Sequence, residues 1–511
     1  MQTLIGKLYR TRLFTPAGLF RLVEAVLTTG INLMALLRVA AKLHPQRPAL
    51  VDDQARLTYP ELWQQAEALA GALHQEYGVQ RGQRVAIACR NHAAGIKAIF
   101  AVSRLGAHVF LLNPEMSTDQ TQTLVERLAI DFYIYDSHDG VHPFWLENSP
   151  LRHHAIPTYH ATAPSIDQLA SEPRSPKAHL RTVKTGNIVV MTGGTTGHPK
   201  PASRKPSIFN FLPPFMALLC QVHLDHYRSL YIATPIYHGF GLAALLIGVI
   251  LGAELYITPR FKAEQACTLI AQHQIEVVTL VPLMLQRMLQ HDPVALTSLQ
   301  RILTGGAALR PLLAQDVLHQ LGPIIFNLYG TSEAGFCLLG TPDLLSRKPA
   351  SVGKPVRGVR AAVVHEARPG QDSPQIGRLC IQSAWSTRQQ SWIETGDLAY
   401  RDPEGDIFLC GRVDDMVVSG GENVYPIELE NVVLQHPDIE AVAVFGIPDE
   451  EFGQRLQAVV IPKSNSTLDT VTLRDWLKPR VARYQMPAVI EFRRELPYTA
   501  LGKLDKKALR Q

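Results

Sequence analysis

Ten residues in the first half of the chain combine glycine, threonine and lysine, the residue types that hold phosphate groups. They are Met191-Thr192-Gly193-Gly194-Thr195-Thr196-Gly197-His198-Pro199-Lys200, after the apolar run Ile188-Val189-Val190. Glycine lets backbone N–H groups approach an anion, threonine hydroxyls add donors and lysine adds a mobile positive charge. The stretch predicts a polyphosphate-binding loop after a buried strand, with an ordinary surface loop as the alternative. It differs from a Walker loop because Pro199 and Pro201 interrupt that pattern.

Other candidate residues follow apolar runs farther along the chain. Gly305-Gly306-Ala307 and Tyr329-Gly330-Thr331-Ser332-Glu333 each come after a predicted strand, and open α/β sheets bind ligands at the carboxyl ends of their strands. The remaining candidates are His238, Thr395-Gly396-Asp397 between two predicted short strands, Gly411-Arg412-Val413-Asp414-Asp415, Ser419-Gly420-Gly421-Glu422-Asn423 and Gly502-Lys503. Gly239-x-Gly241-x-x-Ala244 imitates a dinucleotide fingerprint, but no acidic residue follows in a fitting strand, so no nicotinamide site is predicted.

Each of these residues also has a purely structural interpretation. Glu333 can be a carboxylate at a helix N-terminus, and Asp397 can cap a turn. His238 can be a core histidine and Lys503 a solvated surface lysine. Only the ordered set of motifs favours chemistry over these alternatives.

Composition places the chain among ordinary globular proteins. It has 511 residues, 46% of them hydrophobic and 19% charged. The net charge of +5, without a long Lys/Arg block, gives no case for nucleic-acid binding. Six scattered cysteines without a Cys-x-x-Cys pair indicate buried thiols in a reducing, cytoplasmic compartment. The 19 histidines show no metal-ligand spacing, so no transition-metal site is predicted.

Alternating apolar runs predict an α/β fold built from parallel strands and crossover helices. We expect an apolar helical leader at residues 1–44, a large domain of doubly wound sheets with a small β-rich subdomain at 45–413, and a small mobile α+β domain at 414–511. Residues 140–186 are predicted to be a long surface connection, and residues 470–484 a helix kinked at Pro479. The tail is expected to contribute two strands.

The leader is the unusual part of the sequence. Residues 19–40 are apolar but are interrupted by Arg21, Glu24 and Arg38. The longest charge-free run there is too short for a bilayer, which requires about 20 apolar residues, and no signal peptide is evident. We predict a helix packed on the body of the protein, with peripheral contact to a membrane or a partner as the alternative.

Six motifs together resemble the adenylate-forming superfamily of acyl-CoA synthetases, adenylation domains and luciferases. They are Thr192 to Lys200, Tyr329-Gly330-Thr331-Ser332-Glu333, Thr395-Gly396-Asp397, Gly411-Arg412-Val413-Asp414-Asp415, Gly420-Gly421-Glu422-Asn423 and Gly502-Lys503, and they span residues 45 to the end in the family's order. The leader, the glycine loop and Asp449-Glu450-Glu451-Phe452-Gly453-Gln454-Arg455 are most similar to bacterial fatty-acyl-CoA synthetases.

The resemblance implies ATP, Mg²⁺ and CoA as cofactors and co-substrates, and it implies a role for each motif. Thr192, Gly193, Gly194, Thr195, Thr196, Gly197 and Lys200 would hold the β- and γ-phosphates. Glu333 would hold Mg²⁺, and Ser332 would contact the α-phosphate. Gly305, Gly306, Ala307 and Tyr329, followed by Gly330 and Thr331, would form the nucleotide slot. Asp397, assisted by Arg412, would take the ribose hydroxyls.

Further roles implied by the family concern the acid and the second domain. His238 would border the acyl pocket, and Lys503 would bridge the carboxylate and the α-phosphate. Asp414 would be the hinge, and Ser419, Gly420 and Gly421 would line the CoA channel. The sequence departs from the family after Gly377–Ile381, where it passes Trp385 and Trp392 directly to Thr395, so that the family's Gly-Tyr segment is shortened or lost. It departs again where Pro201 replaces a glycine.

Three functions fit these observations. The first is an acyl-CoA synthetase for an apolar, fatty carboxylic acid, with Tyr237, Phe240, Leu242, Leu280, Val281, Leu283 and Met284 bordering the pocket. The second is an adenylating enzyme that loads a carrier-protein thiol. The third is a nucleotide-binding protein without catalysis, which Lys200, Glu333, Asp397 and Lys503 disfavour.

Overall fold

The computed structural model describes residues 4–136, 143–147, 149–161, 164–172, 180–184, 186–192, 200–204, 208–365, 376–387, 391–419, 422–464, 466–499 and 504–509. Three helices open the chain: α1 (Leu4–Arg10), α2 (Pro16–Thr29) and α3 (Leu33–Leu43). The predicted single helix is divided because Gly30 ends α2 at φ +95° and Asn32 caps α3 by accepting from Ala35 N at 3.2 Å. Among the described residues, no helix is long and apolar enough to cross a membrane.

The first sheet has six strands, of which five run parallel and the last antiparallel. In spatial order they are Ala155–Pro157, Phe132–Tyr135, Arg84–Ala88, His108–Leu111, Ile188–Thr192 and Lys200–Arg204. The helices of this region are Tyr59–Gln75, Ala93–Arg104, Thr118–Arg127 and Ile166–Ser171. Apolar strands buried on both faces are expected where crossover helices cover a parallel sheet.

The second sheet has thirteen strands and changes character along its length. Its parallel part contains Pro48–Val51, Glu254–Ile257, Ser229–Ile232, Val277–Leu280, Arg301–Gly305 and Ile325–Thr331, with Arg56–Thr58 antiparallel at the edge. Its antiparallel part contains Gly335–Gly340, Ser351–Pro355, Ile407–Arg412, Ile393–Arg401, Gly377–Ser383 and Val359–Val364. The helices here are Ile208–Ala217, Gly239–Leu251, Ala263–His273, Pro282–His291, Pro311–Gln320 and Pro342–Arg347.

The C-terminal sheet has its own apolar core. It contains Glu422–Val424, Val417–Ser419, Gly453–Pro462 and Ile439–Asp449, with Val489–Phe492 beside Gly453–Pro462. The helices are Pro426–Val433, Thr470–Leu477 and Lys506–Leu509. The whole is an α/β adenylate-forming fold, with a large N-terminal domain and a smaller C-terminal one. The proposed boundaries at residues 44 and 413 stay predictions.

Buried charges in the first sheet's domain are paired. Lys97 on helix Ala93–Arg104 is almost fully buried, and its ammonium donates to Asp167 Oδ1 at 2.6 Å. Arg104 on the same helix donates to Glu67 at 3.0 Å. Such pairing is necessary because an unpaired buried charge is costly. These contacts fasten the helix to its neighbours.

Four details of the sequence prediction were wrong. Residues 140–186 contain strand Ala155–Pro157 and helix Ile166–Ser171, because their short apolar runs are buried. The helix predicted at 470–484 ends at Leu477, before Pro479, because proline has no N–H with which to continue the helical hydrogen bonds. The tail has a third strand, Val489–Phe492. All six cysteines are free thiols, but Cys220 is exposed.

A histidine, a thiol and a carboxylate meet at one end of helix Ala93–Arg104. They are Cys89, His92 and Asp136. His92 Nδ1 accepts from Gly95 N at 3.1 Å, and Nε2 lies 2.6 Å from Asp136 Oδ1. Asp136 also accepts from Arg90 N at 2.8 Å. These hydrogen bonds cap the helix and link it to the strand end.

Candidate active site

The candidate nucleotide slot lies at the carboxyl ends of two adjacent parallel strands, Arg301–Gly305 and Ile325–Thr331. Strands paired in parallel end at the same edge of a sheet, so Gly305-Gly306-Ala307 and Tyr329 border one cavity. A Cβ on Gly305 would lie 2.6 Å from Leu328 O, and Gly306 has φ +77°. Glycine is therefore required at both positions, and the backbone of Gly306 is exposed at the cavity.

Asp397 is held at the same cavity by two donors. Tyr329 donates its hydroxyl to Asp397 Oδ2 at 2.5 Å, and Arg412 donates to Oδ1 at 2.9 Å. Asp397 and Arg412 are directly opposite each other on neighbouring strands. The prediction that Asp397 lies between two strands was wrong, because it lies inside strand Ile393–Arg401. The turn-cap alternative for Asp397 therefore does not apply.

Tyr329 and Arg412 hold the carboxyl group of Asp397 in place. Burial, and then the Asp397 charge, raises the pKa of Tyr329, so its hydroxyl stays a donor. Burial alone would lower the pKa of Arg412, but Asp397 outweighs it and the pKa is raised. Each carboxylate oxygen keeps a lone pair beyond the bond that it already accepts. Asp397 can therefore accept a pair of vicinal hydroxyls presented from the cavity.

Glu333 lies in the turn between strands Ile325–Thr331 and Gly335–Gly340. The turn is fixed by Ala334 N donating to Thr331 Oγ1 at 3.0 Å and by Thr387 N donating to Glu333 O at 2.8 Å. The helix N-terminus alternative is wrong here, because two antiparallel strands flank the turn. Glu333 is exposed at the cavity, and no cation among the described residues forms an ion pair with it. A free carboxylate fits Mg²⁺, which prefers oxygen ligands.

Ser332, Gly330 and Thr331 line the cavity beside Glu333. His238 lines it from the opposite side, directly before helix Gly239–Leu251, with its ring 4.5 Å from that of Tyr237. Its partly exposed position at the cavity argues against the core-histidine alternative. Gly241 is close-packed, since a Cβ there would lie 2.2 Å from Pro235 O.

The predicted phosphate loop connects two antiparallel strands. Thr192 ends strand Ile188–Thr192 and is directly opposite Lys200, the first residue of Lys200–Arg204. Unlike a Walker loop, which leads from a strand into a helix, this loop leads back along the same sheet. Gly193, Gly194, Thr195, Thr196 and Gly197 lie outside the described residues, as do Gly420, Gly421 and Lys503.

The C-terminal domain covers one side of the cavity. Leu496, Tyr498 and Leu504 line it, and Leu504 directly follows Lys503 in the chain. Arg310 connects the two parts by hydrogen bonds to Glu440 O at 3.4 Å and to Gln286. Burial lowers the pKa of Arg310.

Two residues predicted to serve the second domain do not line the cavity. Ser419 is buried at a hairpin of the C-terminal sheet, where it pairs with Glu422, and it is not among the residues lining the cavity. Asp414 is exposed in the turn Val413–Asp415, with an oxygen 3.7 Å from Arg412. The structure therefore brings the residues predicted to bind adenosine and Mg²⁺ to one cavity, and it leaves Ser419 outside that cavity.

The cavity measures about 1910 Å³, and we call its apolar part, which is lined by helix Gly239–Leu251 and by Leu13, Phe14, Leu22 and Val26, the apolar gallery. Drug-sized ligands occupy roughly 300–1,000 Å³, so a nucleotide and an acid fit together. Most residues of helix Gly239–Leu251 line the gallery, and Phe240, Ala243, Ile247 and Ile250 among them share one face of the helix. Of the predicted acyl-pocket residues, Phe240, Leu242, Val281 and Leu283 line the cavity, whereas Tyr237, Leu280 and Met284 are packed into the core.

Two groups of lining residues were missed. Trp385 lines the cavity and donates Nε1–H to Phe336 O at 3.1 Å. Leu13, Phe14, Leu22 and Val26 bring the leader to the far end of the gallery. The apolar leader itself was the available signal, but nothing local in its sequence tells which surface it covers.

Comparison with known proteins agrees with this geometry. Residues 37–389 match the model of the AMP-binding enzyme family, and residues 428–503 match that of the AMP-binding enzyme C-terminal domain. A 2-succinylbenzoate–CoA ligase of Geobacillus kaustophilus is 30% identical, over 93% of this chain and 97% of its own. A medium/long-chain-fatty-acid–CoA ligase of Mycobacterium tuberculosis is 28% identical, over 93% of this chain and 89% of its own.

Solved structures of acyl-CoA synthetases have the same fold as this chain. The o-succinylbenzoate CoA synthetase of Bacillus subtilis, in complex with its acyl-adenylate intermediate, has a TM-score of 0.79 and 26% identity, covering 93% of this chain and 98% of its own. The same enzyme with ATP and magnesium ion has a TM-score of 0.77 and 25% identity, covering 93% of this chain and 99% of its own. ATP, Mg²⁺ and CoA are accordingly the cofactors and co-substrates. The chain belongs to the AMP-binding enzyme family, as an adenylate-forming acyl-CoA ligase.

Proposed function

We propose that this enzyme activates an apolar, medium- or long-chain monocarboxylic acid and transfers the acyl group to CoA. The observation that carries the proposal is the composition of the gallery. The cations among the described lining residues are Arg310 and Arg412, and both are engaged elsewhere, Arg412 with Asp397 and Arg310 at the C-terminal domain. A second carboxylate in the gallery would lack a counter-ion among these residues, which is costly in an apolar site.

The extent of the apolar lining along helix Gly239–Leu251 supports a chain in preference to a compact acid. The face formed by Phe240, Ala243, Ile247 and Ile250 extends along helix Gly239–Leu251, whose 13 residues give a length of about 20 Å at 1.5 Å per residue. Each buried methylene contributes about 0.8 kcal/mol. Binding should therefore improve with chain length until the gallery is full.

In the first half-reaction, the carboxylate oxygen attacks the α-phosphorus of ATP and pyrophosphate leaves. Gly305, Gly306 and Tyr329 would receive the adenine, and Asp397 would accept the ribose hydroxyls. Glu333 would help to hold Mg²⁺, which supplies charge neutralisation at the phosphates. Thr192, Lys200 and Lys503 are proposed to contact the phosphates, and Lys503 to screen the approaching carboxylate. Charge stabilisation of this kind is the main protein contribution to phosphoryl chemistry.

In the second half-reaction, the thiol sulfur attacks the acyl carbon, the acyl–phosphate bond breaks and AMP leaves. Lys503 and the Ser419–Gly421 segment belong to the same small domain. In this arrangement Leu504 lines the cavity and Ser419 does not, which supports an assignment of the structure to the adenylating state. We propose that rotation about Asp414 brings Ser419, Gly420 and Gly421 to the thiol's path.

A carrier-protein thiol is the alternative acceptor. The first step is the same for both acceptors, so only the second half-reaction distinguishes them. CoA is favoured by the names of the relatives, which are CoA ligases.

The proposal is tested in two stages. Pyrophosphate release is first measured without thiol, across a series of linear monocarboxylic acids and with 2-succinylbenzoate. CoA or a phosphopantetheinylated carrier protein is then added, and the thioester is identified by mass spectrometry. We expect release to increase with chain length and the thioester to form with CoA.

Two results would contradict parts of this proposal. Preference for 2-succinylbenzoate over every linear acid would refute the substrate class. Thioester formation on the carrier alone would refute CoA as acceptor and leave the adenylation step intact.

A further inference from the structure

Exposed apolar side chains are concentrated on the N-terminal helices. Of the fifteen large hydrophobic side chains exposed among the described residues, six lie between Tyr9 and Ile31. Phe20 is 65% exposed and Leu27 is 72% exposed. Positions 19, 20, 23 and 27 recur at helical spacing and therefore share one face of α2. We call this face, together with Ile31 two residues after the helix, the outer stripe. It consists of Leu19, Phe20, Val23, Leu27 and Ile31.

The opposite face of α2 belongs to the protein interior. Ala25 is buried, and Leu22 and Val26 line the apolar gallery. Ile31 is exposed and also lines the gallery. The helix is therefore the wall between the gallery and the surface, and Ile31 marks where the two meet.

The stripe is carried on a firmly attached segment. Lys7 on α1 donates to Leu219 O at 3.0 Å and to Cys220 O at 3.2 Å. A Cβ on Gly30, after α2, would lie 2.0 Å from Val183 O, so the end of α2 is packed closely on the body. The outer stripe is thus a fixed surface of the folded protein.

The leader also carries an excess of positive charge. Residues 1–44 contain six basic residues and one acidic residue, which gives +5, as much as the net charge of the whole chain. The acidic residue, Glu24, is bridged by Arg21 at 3.1 Å and by Lys42. Arg12 is exposed, and Arg10 is exposed but lies 3.6 Å from Asp225 in an ion pair. The segment is therefore both apolar and cationic.

We propose that the outer stripe docks the enzyme on the surface of an anionic phospholipid bilayer. An apolar helix face with surrounding positive charge is the pattern of helices that lie in the membrane interface. The 14 residues of α2 give a length of about 21 Å, shorter than the ~30 Å hydrocarbon core, which suits a helix lying in the plane. A second copy is disfavoured, because a symmetric interface would bring two segments of +5 together.

Docking would place the end of the gallery at the lipid surface, because Ile31 belongs to both. This consequence rests on the proposed function, since only an apolar acid would be enriched in the bilayer. The docking itself does not depend on the acid, and it is measured without substrate.

The test is flotation of the full chain with vesicles of phosphatidylcholine alone or with one-third phosphatidylglycerol. The variant is Phe20→Ser with Leu27→Ser, and the matched control is Val294→Ser with Val471→Ser, which changes two equally exposed valines away from the leader. We expect binding to the anionic vesicles, weakened by salt. The partition coefficient should fall at least about tenfold in the variant and stay unchanged in the control.

Thermal unfolding should be unaltered in both variants, because the changed side chains are exposed. Equal partitioning of wild type and variant, or no binding to anionic vesicles, would overturn the proposal. Light scattering supplies a further check. A dimer that the leader variant alone abolishes would assign the outer stripe to a second copy and would also overturn it.

Discussion

Ala243→Trp should shorten the chain that the enzyme accepts. Ala243 lies on the gallery-lining face of helix Gly239–Leu251, between Phe240 and Ile247. At 1.5 Å per residue it is about 5 Å beyond Phe240 and about 12 Å short of Leu251. An indole group at this position would close the gallery beyond it. Short acids would still reach the slot, whereas long acids would lose their contacts with the distal part.

The expected loss follows from methylene burial. Each excluded methylene costs about 0.8 kcal/mol, which is about fourfold in kcat/KM. Losing about four methylene contacts costs about 3.2 kcal/mol, or roughly 200-fold. The assay is initial-rate pyrophosphate release with acids from butyrate to hexadecanoate. We expect butyrate to be affected little and dodecanoate by about two orders of magnitude.

Val294→Trp is the control, because Val294 is 74% exposed and outside the cavity. Its chain-length profile should equal that of the wild type. A uniform loss at every chain length in Ala243→Trp would indicate general damage, and an unchanged profile would show that the acyl chain does not follow this helix. Either result would refute the reasoning.

Three further changes test other parts of the account. Lys503→Ala should slow adenylate formation by orders of magnitude, because it removes a charge that acts in the transition state. In single-turnover assays, thioester formation from pre-made acyl-adenylate should stay nearly intact. Normal adenylation by this variant would show that the role assigned to Lys503 is wrong. Asp414→Pro should slow thioester formation more than adenylate formation, because proline fixes φ at the proposed hinge, and equal losses would argue against a hinge there. Burial, with help from Arg47 and Arg12, lowers the pKa of His44 in the folded protein to about 4. The pKa of a histidine in the unfolded chain is about 6.5, so protonation below that pH favours the unfolded state. The free energy of unfolding should therefore fall by about 2 kcal/mol between pH 8 and pH 5. Denaturant unfolding should show this dependence in the wild type and a flatter one in His44→Asn; equal slopes would exclude His44 as the cause.

Much of the fold could be predicted from the sequence, because parallel strands are continuous apolar runs. The apolar run Ile188-Val189-Val190, which was predicted to be a buried strand, lies in strand Ile188–Thr192. The stretch 140–186 was misjudged, because a three-residue strand and a six-residue helix are shorter than any periodicity can reveal. Tertiary packing decides such segments.

The site was predictable to the extent that its residues follow strands. Gly305, Tyr329 and Glu333 meet because neighbouring parallel strands end together. The pairing of Asp397 with Arg412 depends on the register of two antiparallel strands, which spacing alone does not determine. The role of the leader as a wall of the gallery depends on long-range packing and could not be predicted from local pattern.

The central claim is that the enzyme activates an apolar monocarboxylic acid, and one matched pair of substrates tests it most directly. Decanoate and decanedioate have the same chain length and differ in a carboxylate at the far end, which would be buried in the gallery. Because an uncompensated buried charge costs several kcal/mol, kcat/KM for acid-dependent pyrophosphate release should favour decanoate by more than about 100-fold. Equal values, or a preference for decanedioate, would contradict the claim.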